Sequence, residues 1–199
     1  MLFEGVLVAL LIGLLAGGRM RNIDYIDLRA PWLLIAAFPI QAAVVKIPAD
    51  RAPWLAPVAP LLVVVSYLVL LYALARNWHL WGFRIALLGI ALNFLVVVTN
   101  GGLMPTSVAA VRAVQAGELA DQLESGRYGK NAVLTADTRL PFLADVLPLA
   151  WPYPRPCVIS VGDIFITLGL SLFIFQAVGA FGWRPKPDRP ETGSCPSAG

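Results

Sequence analysis

The chain has few of the residues from which catalytic and metal sites are commonly built. Its 199 residues include two cysteines and one histidine, too few for a zinc-ligand cluster or a C-x-x-C site. Cys157 and Cys195 flank the last apolar run, which predicts opposite membrane faces and no disulfide between them. P-loop, dinucleotide, G-x-S-x-G and H-E-x-x-H motifs are also missing. We therefore expect no metal, no cofactor and no recognised catalytic residue.

Charge is scarce as well. Charged residues make up 14% of the chain and hydrophobic residues 58%, with a mean hydropathy of +0.74. This balance is far from that of a soluble domain and predicts that most of the chain faces lipid or other apolar helices. The net charge is +3, but the basic residues lie at the ends of apolar runs and form no continuous stripe. Nucleic acid is therefore not an expected partner.

Five apolar runs are long enough to be considered as membrane-spanning helices. Trp54 begins the third run and Arg76 ends it, as is typical of membrane interfaces. The predicted fold class is all-α, a polytopic membrane helical bundle with an extracytoplasmic amphipathic helix. We predict one membrane domain over 1–183 and a disordered cytoplasmic tail over 184–199. The spans are predicted at about 2–18, 30–46, 54–76, 80–99 and 158–182.

The distribution of basic residues predicts the orientation. One side holds eight, and the short loop on the other side holds Lys46 and Arg51. By the positive-inside rule, the side with eight is predicted to be cytoplasmic, with the N-terminus outside and the C-terminus in the cytoplasm. No internal repeat is recognised, so the inverted repeats of many transporters are not expected. The eight are Arg19, Arg21, Arg29, Arg76, Arg84, Arg184, Lys186 and Arg189.

The outer loop, 100–157, interrupts the apolar runs. Its beginning, Asn100-Gly101-Gly102-Leu103-Met104-Pro105, predicts a helix stop, a turn and a new helix start. Apolar residues at helical spacing predict an amphipathic helix from Pro105 to about Leu123, with Thr106 or Ser107 as its N-cap. Residues 138–149 are too apolar for a solvated linker and are predicted to lie on the membrane surface or in the bundle.

Small residues recur every four positions along the first span, at Gly5, Ala9, Gly13 and Gly17. Such a ridge is typical of close helix–helix contact. Two hypotheses remain open at this point. The ridge packs inside the same chain, or it meets a membrane-protein partner or a second copy.

Asp163 lies inside the last apolar run, with Ser160, Thr167 and Ser171 on the same helical face. An intramembrane carboxylate is a functional-site hypothesis by default, so this stripe could line a pocket for a proton, an ion or a head group. Ser160-Val161-Gly162-Asp163 also fits a capping box, which would make Asp163 a helix-start residue.

Two asparagines of the fourth span, Asn93 and Asn100, are seven residues apart and share a face. This face could converge with Asp163 near the outer surface. Interhelical hydrogen bonding is the expected role of Asn93, and ligand contact is the alternative. Glu4 is predicted to set orientation or to pair with the terminal amine. The outer arginines and lysine, from Arg112 to Arg155, are consistent with anion binding or with ordinary solvated charges.

Several motifs resemble a bacterial membrane-protein family of unknown function, DUF5317. They are Leu2-Phe3-Glu4, Gly17-Gly18-Arg19, the Asn100–Pro105 segment, Thr138–Asp145 and Ser160–Asp163. The likeness extends to about Phe181. It implies a small multi-pass bacterial protein, and it supplies no activity, catalytic residue or binding residue.

Three functional hypotheses follow. The leading one is a non-enzymatic accessory or interaction subunit of the membrane. The second is a protein that binds or transports a small solute, an ion or a lipid through the polar cluster around Asp163. The third is an outer-leaflet lipid-modifying enzyme, which a loss of turnover in Asp163→Asn would support.

Overall fold

The computed structural model describes residues 2–36, 57–114, 117–125, 131–151 and 153–183. Residues 31–36 are helical, and short 3-10 helices occur at Met20–Tyr25, Pro141–Leu143 and Ala180–Gly182. The strands are β1 (Met104–Thr106), β2 (Asn131–Val133), β3 (Leu147–Leu149) and β4 (Cys157–Ile159). The α-helices that we name are α1 (Leu2–Leu15), α2 (Ala59–Arg76), α3 (Trp81–Thr99), α4 (Val108–Ala113), α5 (Gly117–Glu124) and α6 (Val161–Val178).

In the described part of the chain, three helices are long and apolar enough to cross a membrane. They are α2, α3 and α6, with 18, 19 and 18 residues, and they lie within the predicted spans 54–76, 80–99 and 158–182. The first predicted span, 2–18, is a helix of only 14 residues. The second, 30–46, lies largely outside the described residues. The predicted count of five spans is therefore not established.

The outer loop contains strands, so the all-α prediction is wrong in this region. β1 and β2 pair in parallel, β3 and β4 pair antiparallel, and Thr106 bridges to Asp145. Each of the two sheets in the described residues has two strands, and such short strands tolerate the prolines of β1 and β3, which cannot donate to a ladder. We call the described residues between Asn100 and Ser160 the cap.

The single amphipathic helix predicted from Pro105 to Leu123 is also incorrect, because two short helices, α4 and α5, occupy this region. Ser107 is the N-cap of α4, and its hydroxyl accepts a hydrogen bond from the Ala110 amide at 3.2 Å. The apolar side chains of Val111, Ala120 and Leu123 pack together in a small core. The helical spacing of apolar residues thus occurs in two separate helices, and the sequence pattern does not indicate the break between them.

Glycine lets α3 and α6 lie against each other almost without intervening side chains. The two helices run antiparallel, with Gly82 opposite Gly169 and Gly89 opposite Gly162. A Cβ atom at any of these four positions would lie within 3.0 Å of backbone atoms of the other helix. Within each helix the two glycines are seven residues apart, which is about two helical turns. Both therefore lie on the face that contacts the other helix.

The other two long segments pack on the outer sides of this pair. The small-residue ridge of α1 faces α6, since a Cβ at Gly5 would contact Thr167 and one at Gly13 would contact Val178 and Phe175. Gly17 has no atom within 4 Å of its Cβ position. On the other side, α2 contacts α3, as in the tilted ring pair of Tyr67 and Phe94. The order across the bundle is therefore α1, α6, α3, α2.

The two ends of the bundle differ in character. The cap covers one end. The other, which we call the basic end, holds Arg19, Arg21, Arg29, Arg76 and Arg84 together with the turn between α2 and α3. There the Arg19 amide and the Asn22 side chain each donate to the Val178 carbonyl at 2.7 Å, so the chain leaving α1 is joined to the end of α6.

A substitution at Gly89 tests the glycine contact. Alanine would gain about 1 kcal/mol of helix propensity, but its Cβ would lie 2.5 Å from the Gly162 carbonyl oxygen and 2.7 Å from the Ile166 amide nitrogen. Overpacking of this kind costs about 1–3 kcal/mol, so we expect Gly89→Ala to lower the free energy of unfolding measured in detergent. The neighbouring exposed Leu88 provides the control. Leu88→Ala should change it by less than about 0.5 kcal/mol.

Candidate functional site

Three of the predicted site residues meet at the cap end of α3 and α6. The Asn93 side-chain amide donates to Asp163 Oδ1 at 3.0 Å, and the Ser160 hydroxyl donates to Asn93 Oδ1 at 2.9 Å. Asn93 and Ser160 are buried, and Asp163 is half-buried. We call these three residues the polar cluster. It forms a direct side-chain connection between the two glycine-faced helices.

The start of α6 explains how the sequence builds this cluster. Ser160 is the N-cap, and its hydroxyl accepts from the Asp163 amide at 3.1 Å. In return, Asp163 Oδ2 accepts from the Ser160 amide at 3.0 Å. This is a complete capping box, which satisfies otherwise unpaired amides of the first turn. The capping interpretation of Asp163 is therefore present in the geometry.

The remaining hydroxyls of the α6 stripe bond to their own helix. Thr167 donates to the Asp163 backbone carbonyl and Ser171 to the Thr167 carbonyl, both at 2.8 Å. Such bonds to the carbonyl one turn earlier are a common way for a helix to accommodate Ser and Thr. Each hydroxyl thus donates its hydrogen bond within α6. The methyl group of Thr167 contacts Gly5 of α1.

Asn100 does not join the polar cluster in the described structure. It is the C-cap residue of α3, and its side chain pairs with the backbone of Arg139. The Asn100 amide donates to the Arg139 carbonyl and its oxygen accepts from the Arg139 amide, both at 2.9 Å. It also donates to the Val96 carbonyl at 2.8 Å. The expected convergence of Asn100 with Asp163 is replaced by a connection between α3 and the cap.

The same arrangement occurs at the basic end with Asn77, which the sequence analysis did not single out. Asn77 is the C-cap of α2 and is fully buried. Its amide donates to the Arg29 carbonyl and to the Ala73 carbonyl at 2.8 Å, and its oxygen accepts from the Arg29 amide at 2.7 Å. We call the pairs Asn77–Arg29 and Asn100–Arg139 the two clamps.

The two segments held by the clamps also share a sequence pattern, D-x-R-x-P-(W/F)-L. It occurs at 27–33 and at 137–143. The residue after each arginine, Ala30 or Leu140, has a positive φ of 50° or 55°, and the following proline begins a helical turn. The expectation of no internal repeat is therefore wrong for this short motif. A comparison of the two Arg-x-Pro segments in the sequence would have found it.

Glu4 connects the start of α1 to the cap. Its carboxylate lies 3.4 Å from the Arg155 guanidinium, and it accepts a hydrogen bond from the Tyr153 hydroxyl at 3.4 Å. Burial raises the pKa of the Tyr153 phenol, and the nearby negative charge of Glu4 adds to the effect. Of the other outer basic residues, Arg112 pairs with Glu124 at 3.0 Å. These charges are engaged within the chain.

The polar cluster has few groups that could bind a metal or transfer a proton. Groups of three or more His, Cys, Asp and Glu residues in metal-binding proximity do not occur in the described ranges. The acceptors and donors of the polar cluster largely face each other. Its Asp163 carboxylate is the one ionisable group of the three, and it accepts one hydrogen bond on each oxygen.

Removing the amide of Asn93 tests the cluster as a joint between helices. Asn93→Leu leaves the Ser160 hydroxyl and Asp163 Oδ1 without this partner, which should lower the free energy of unfolding by about 1–3 kcal/mol. Thr167→Val is the matched control, because it keeps the methyl contact with Gly5 and removes only a hydroxyl bonded to its own helix. Denaturant titration measures the free energy of unfolding. Equal losses of it in the two variants would contradict the role of the cluster as a joint between the helices.

Substitutions of the two asparagines test the clamps. Asn77→Ala and Asn100→Ala should each cost about 1–3 kcal/mol, since each leaves backbone groups of a distant loop unpaired. Because the clamps lie at opposite ends of the bundle, the double variant should be additive within about 0.5 kcal/mol. Asn22→Ala, which removes a single donated bond, should cost less. Thermal and denaturant unfolding in detergent measure all four variants.

Comparison with known proteins places these features in a family. A family described as "Family of unknown function (DUF5317)" matches residues 25–175. An "Uncharacterized protein" of Thermotoga maritima is 27% identical over 173 residues, which cover 87% of this chain and 89% of that protein. No solved structure matches the chain significantly. The matched range includes the polar cluster and both clamps, and the chain belongs to the DUF5317 family.

Proposed function

We propose that this protein is a non-enzymatic accessory subunit of the bacterial cytoplasmic membrane that binds another membrane protein through the outward face of α1. The observation that carries the proposal is the mismatch between α1 and a bilayer. Its 14 residues span about 21 Å, whereas the hydrocarbon layer is about 30 Å thick. A helix that is too short for the bilayer is accommodated by local thinning, by snorkelling residues or by association with other helices.

The arrangement of α1 agrees with this proposal. Its small-residue ridge is occupied by α6 of the same chain, so a partner would meet the opposite face. That face carries an apolar stripe at helical spacing, Phe3, Leu7, Leu11 and Leu15, and all four side chains are exposed. The ridge therefore supports internal packing, and the stripe is the surface that we assign to a partner helix.

The polar cluster supports a structural role over a catalytic one. Asp163 accepts hydrogen bonds on both oxygens, and Asn93 and Ser160 bond to it and to each other. A buried polar network in which the members satisfy one another rigidifies a helix pair. In this proposal, the cluster fixes the cap end of the bundle while α1 provides the contact surface.

The proposed orientation places the basic end in the cytoplasm and the cap outside. The described basic end carries five arginines against Asp24 and Asp27, as the positive-inside rule requires of a cytoplasmic face. Both the N-terminus of α1 and the cap would then be extracytoplasmic. The five are Arg19, Arg21, Arg29, Arg76 and Arg84.

Affinity purification of the tagged full chain from native membranes in mild detergent tests the proposal. Leu11→Trp places a bulky ring on the α1 stripe, and we expect it to release a partner that is stoichiometric with the wild type. Leu168→Trp is the matched control, because Leu168 of α6 is exposed to a similar degree, 50% against 53% for Leu11. It should retain the partner, as should Asp163→Asn.

A second candidate is the binding or transport of a small solute, an ion or a lipid by the polar cluster. It is favoured by the Asp163 carboxylate, which lies in a candidate span and has no cationic partner among the described side chains. If the protein purifies alone with a small molecule or lipid that Asp163→Asn loses, the accessory proposal fails and this candidate replaces it. Turnover of a bound lipid that requires Asp163 would favour an enzyme.

A further inference from the structure

Arg84 is held between two tryptophans at the basic end of α3. Its guanidinium carbon lies 4.3 Å from the ring centroid of Trp81 and 5.3 Å from that of Trp78. Its Nε donates to the Trp78 carbonyl at 2.7 Å. Both rings are more than half exposed. We call Trp78, Trp81 and Arg84 the Trp–Arg box.

The charge of Arg84 is not neutralised inside the described structure. The ion pairs of the described residues join Asp27 to Arg29 and His79, Glu124 to Arg112, and Glu4 to Arg155. Arg84 is in none of them, and its terminal Nη nitrogens make no hydrogen bond to a described residue. The side chain is therefore fixed through Nε and the two rings, with its remaining donors available.

The box lies where lipid head groups would be. Trp81 is the first residue of α3, and a helix of 19 residues is about 28 Å long, close to the thickness of the hydrocarbon layer. Tryptophan is enriched at the level of the head groups because its ring is apolar and its N–H is polar. A guanidinium at this depth meets phosphate oxygens, and its planar fork matches their geometry.

We infer that the Trp–Arg box binds the phosphate of an anionic phospholipid head group in the leaflet at the basic end. The rings keep the guanidinium in place before the lipid arrives, so little side-chain freedom is lost on binding. The rings would also contact the glycerol and upper acyl region, which a soluble anion lacks. The surplus of arginine over acid at this end adds a favourable field for a negatively charged lipid. This inference does not depend on the proposed partner of α1.

Native mass spectrometry of the purified full chain tests the assignment. Protein in detergent is mixed with equal amounts of phosphatidylglycerol and phosphatidylcholine, and the retained lipid is counted. Wild type should retain phosphatidylglycerol preferentially. Arg84→Gln should lower this retention by about five-fold or more, which corresponds to about 1 kcal/mol, because it removes the charge-assisted hydrogen bonds that the guanidinium makes to the phosphate.

Arg76→Gln is the matched control. Arg76 is an exposed arginine in the last turn of α2 at the same end, and the described structure stacks no ring on it. Arg76→Gln weakens the field at this end but removes no proposed phosphate contact, so we expect it to lower the retention of phosphatidylglycerol by less than about two-fold. Arg84→Lys keeps the charge but loses the planar fork, so it should fall between wild type and Arg84→Gln. Circular dichroism checks that each variant is folded.

Three outcomes would overturn the inference. Unchanged retention in folded Arg84→Gln would show that the box is not the site. Equal losses in Arg76→Gln and Arg84→Gln would show a general effect of positive charge. Inorganic phosphate that displaces the lipid at equal concentration would assign the box to a free anion. If Arg84→Gln does not fold, Arg84→Lys decides, and wild-type retention in that variant would reject recognition by the guanidinium.

Discussion

The close approach of α3 and α6 is the constraint on which the rest of the structure depends. Two helices whose facing residues are glycines bring their backbones into contact over two turns, and this contact fixes their relative depth as well as their distance. The polar cluster forms only because of that depth, since Asn93 then lies beside the first turn of α6. A larger residue in the contact would separate Asn93 from Ser160 and Asp163 together.

The position of Asp163 at the start of α6 explains how a candidate span can contain a carboxylate. Insertion of a charged side chain costs about 2.5–3.5 kcal/mol at the centre of a span, but Asp163 lies at the start of α6, where the helix dipole and the Ser160 amide favour negative charge. Asn93 supplies a further donor from α3. The carboxylate thus has a structural explanation, and the same position places it at the cap end of the bundle.

Much of this arrangement could be predicted from the sequence because it depends on local patterns. Apolar length located α2, α3 and α6, and Ser160-Val161-Gly162-Asp163 predicted the cap of α6. The cap strands were missed because three-residue strands containing proline carry no periodic signal. The glycine contact was not predicted, because the seven-residue spacing of Gly82 and Gly89 does not by itself indicate which helix the glycines face.

Residues that act through the backbone of a distant segment were the hardest to predict. Asn77 resembles an ordinary turn residue, and its role depends on Arg29, 48 positions away. The sequence predicts that Asn100 lies on the same helical face as Asn93. It does not predict that the partner of Asn100 is the backbone of Arg139 in the cap. Side-chain spacing along one helix does not predict such long-range partners.

The clamps have a consequence for the order in which the chain folds during synthesis. Both asparagines belong to one hairpin, α2 and α3, while the segments that they hold come from before and after it, 48 and 39 residues away. The segment around Arg29 must therefore wait until Asn77 has been made, and the segment around Arg139 finds Asn100 already in place. The hairpin of α2 and α3 thus supplies both asparagines, and the earlier and later parts of the chain are held at its two opposite ends.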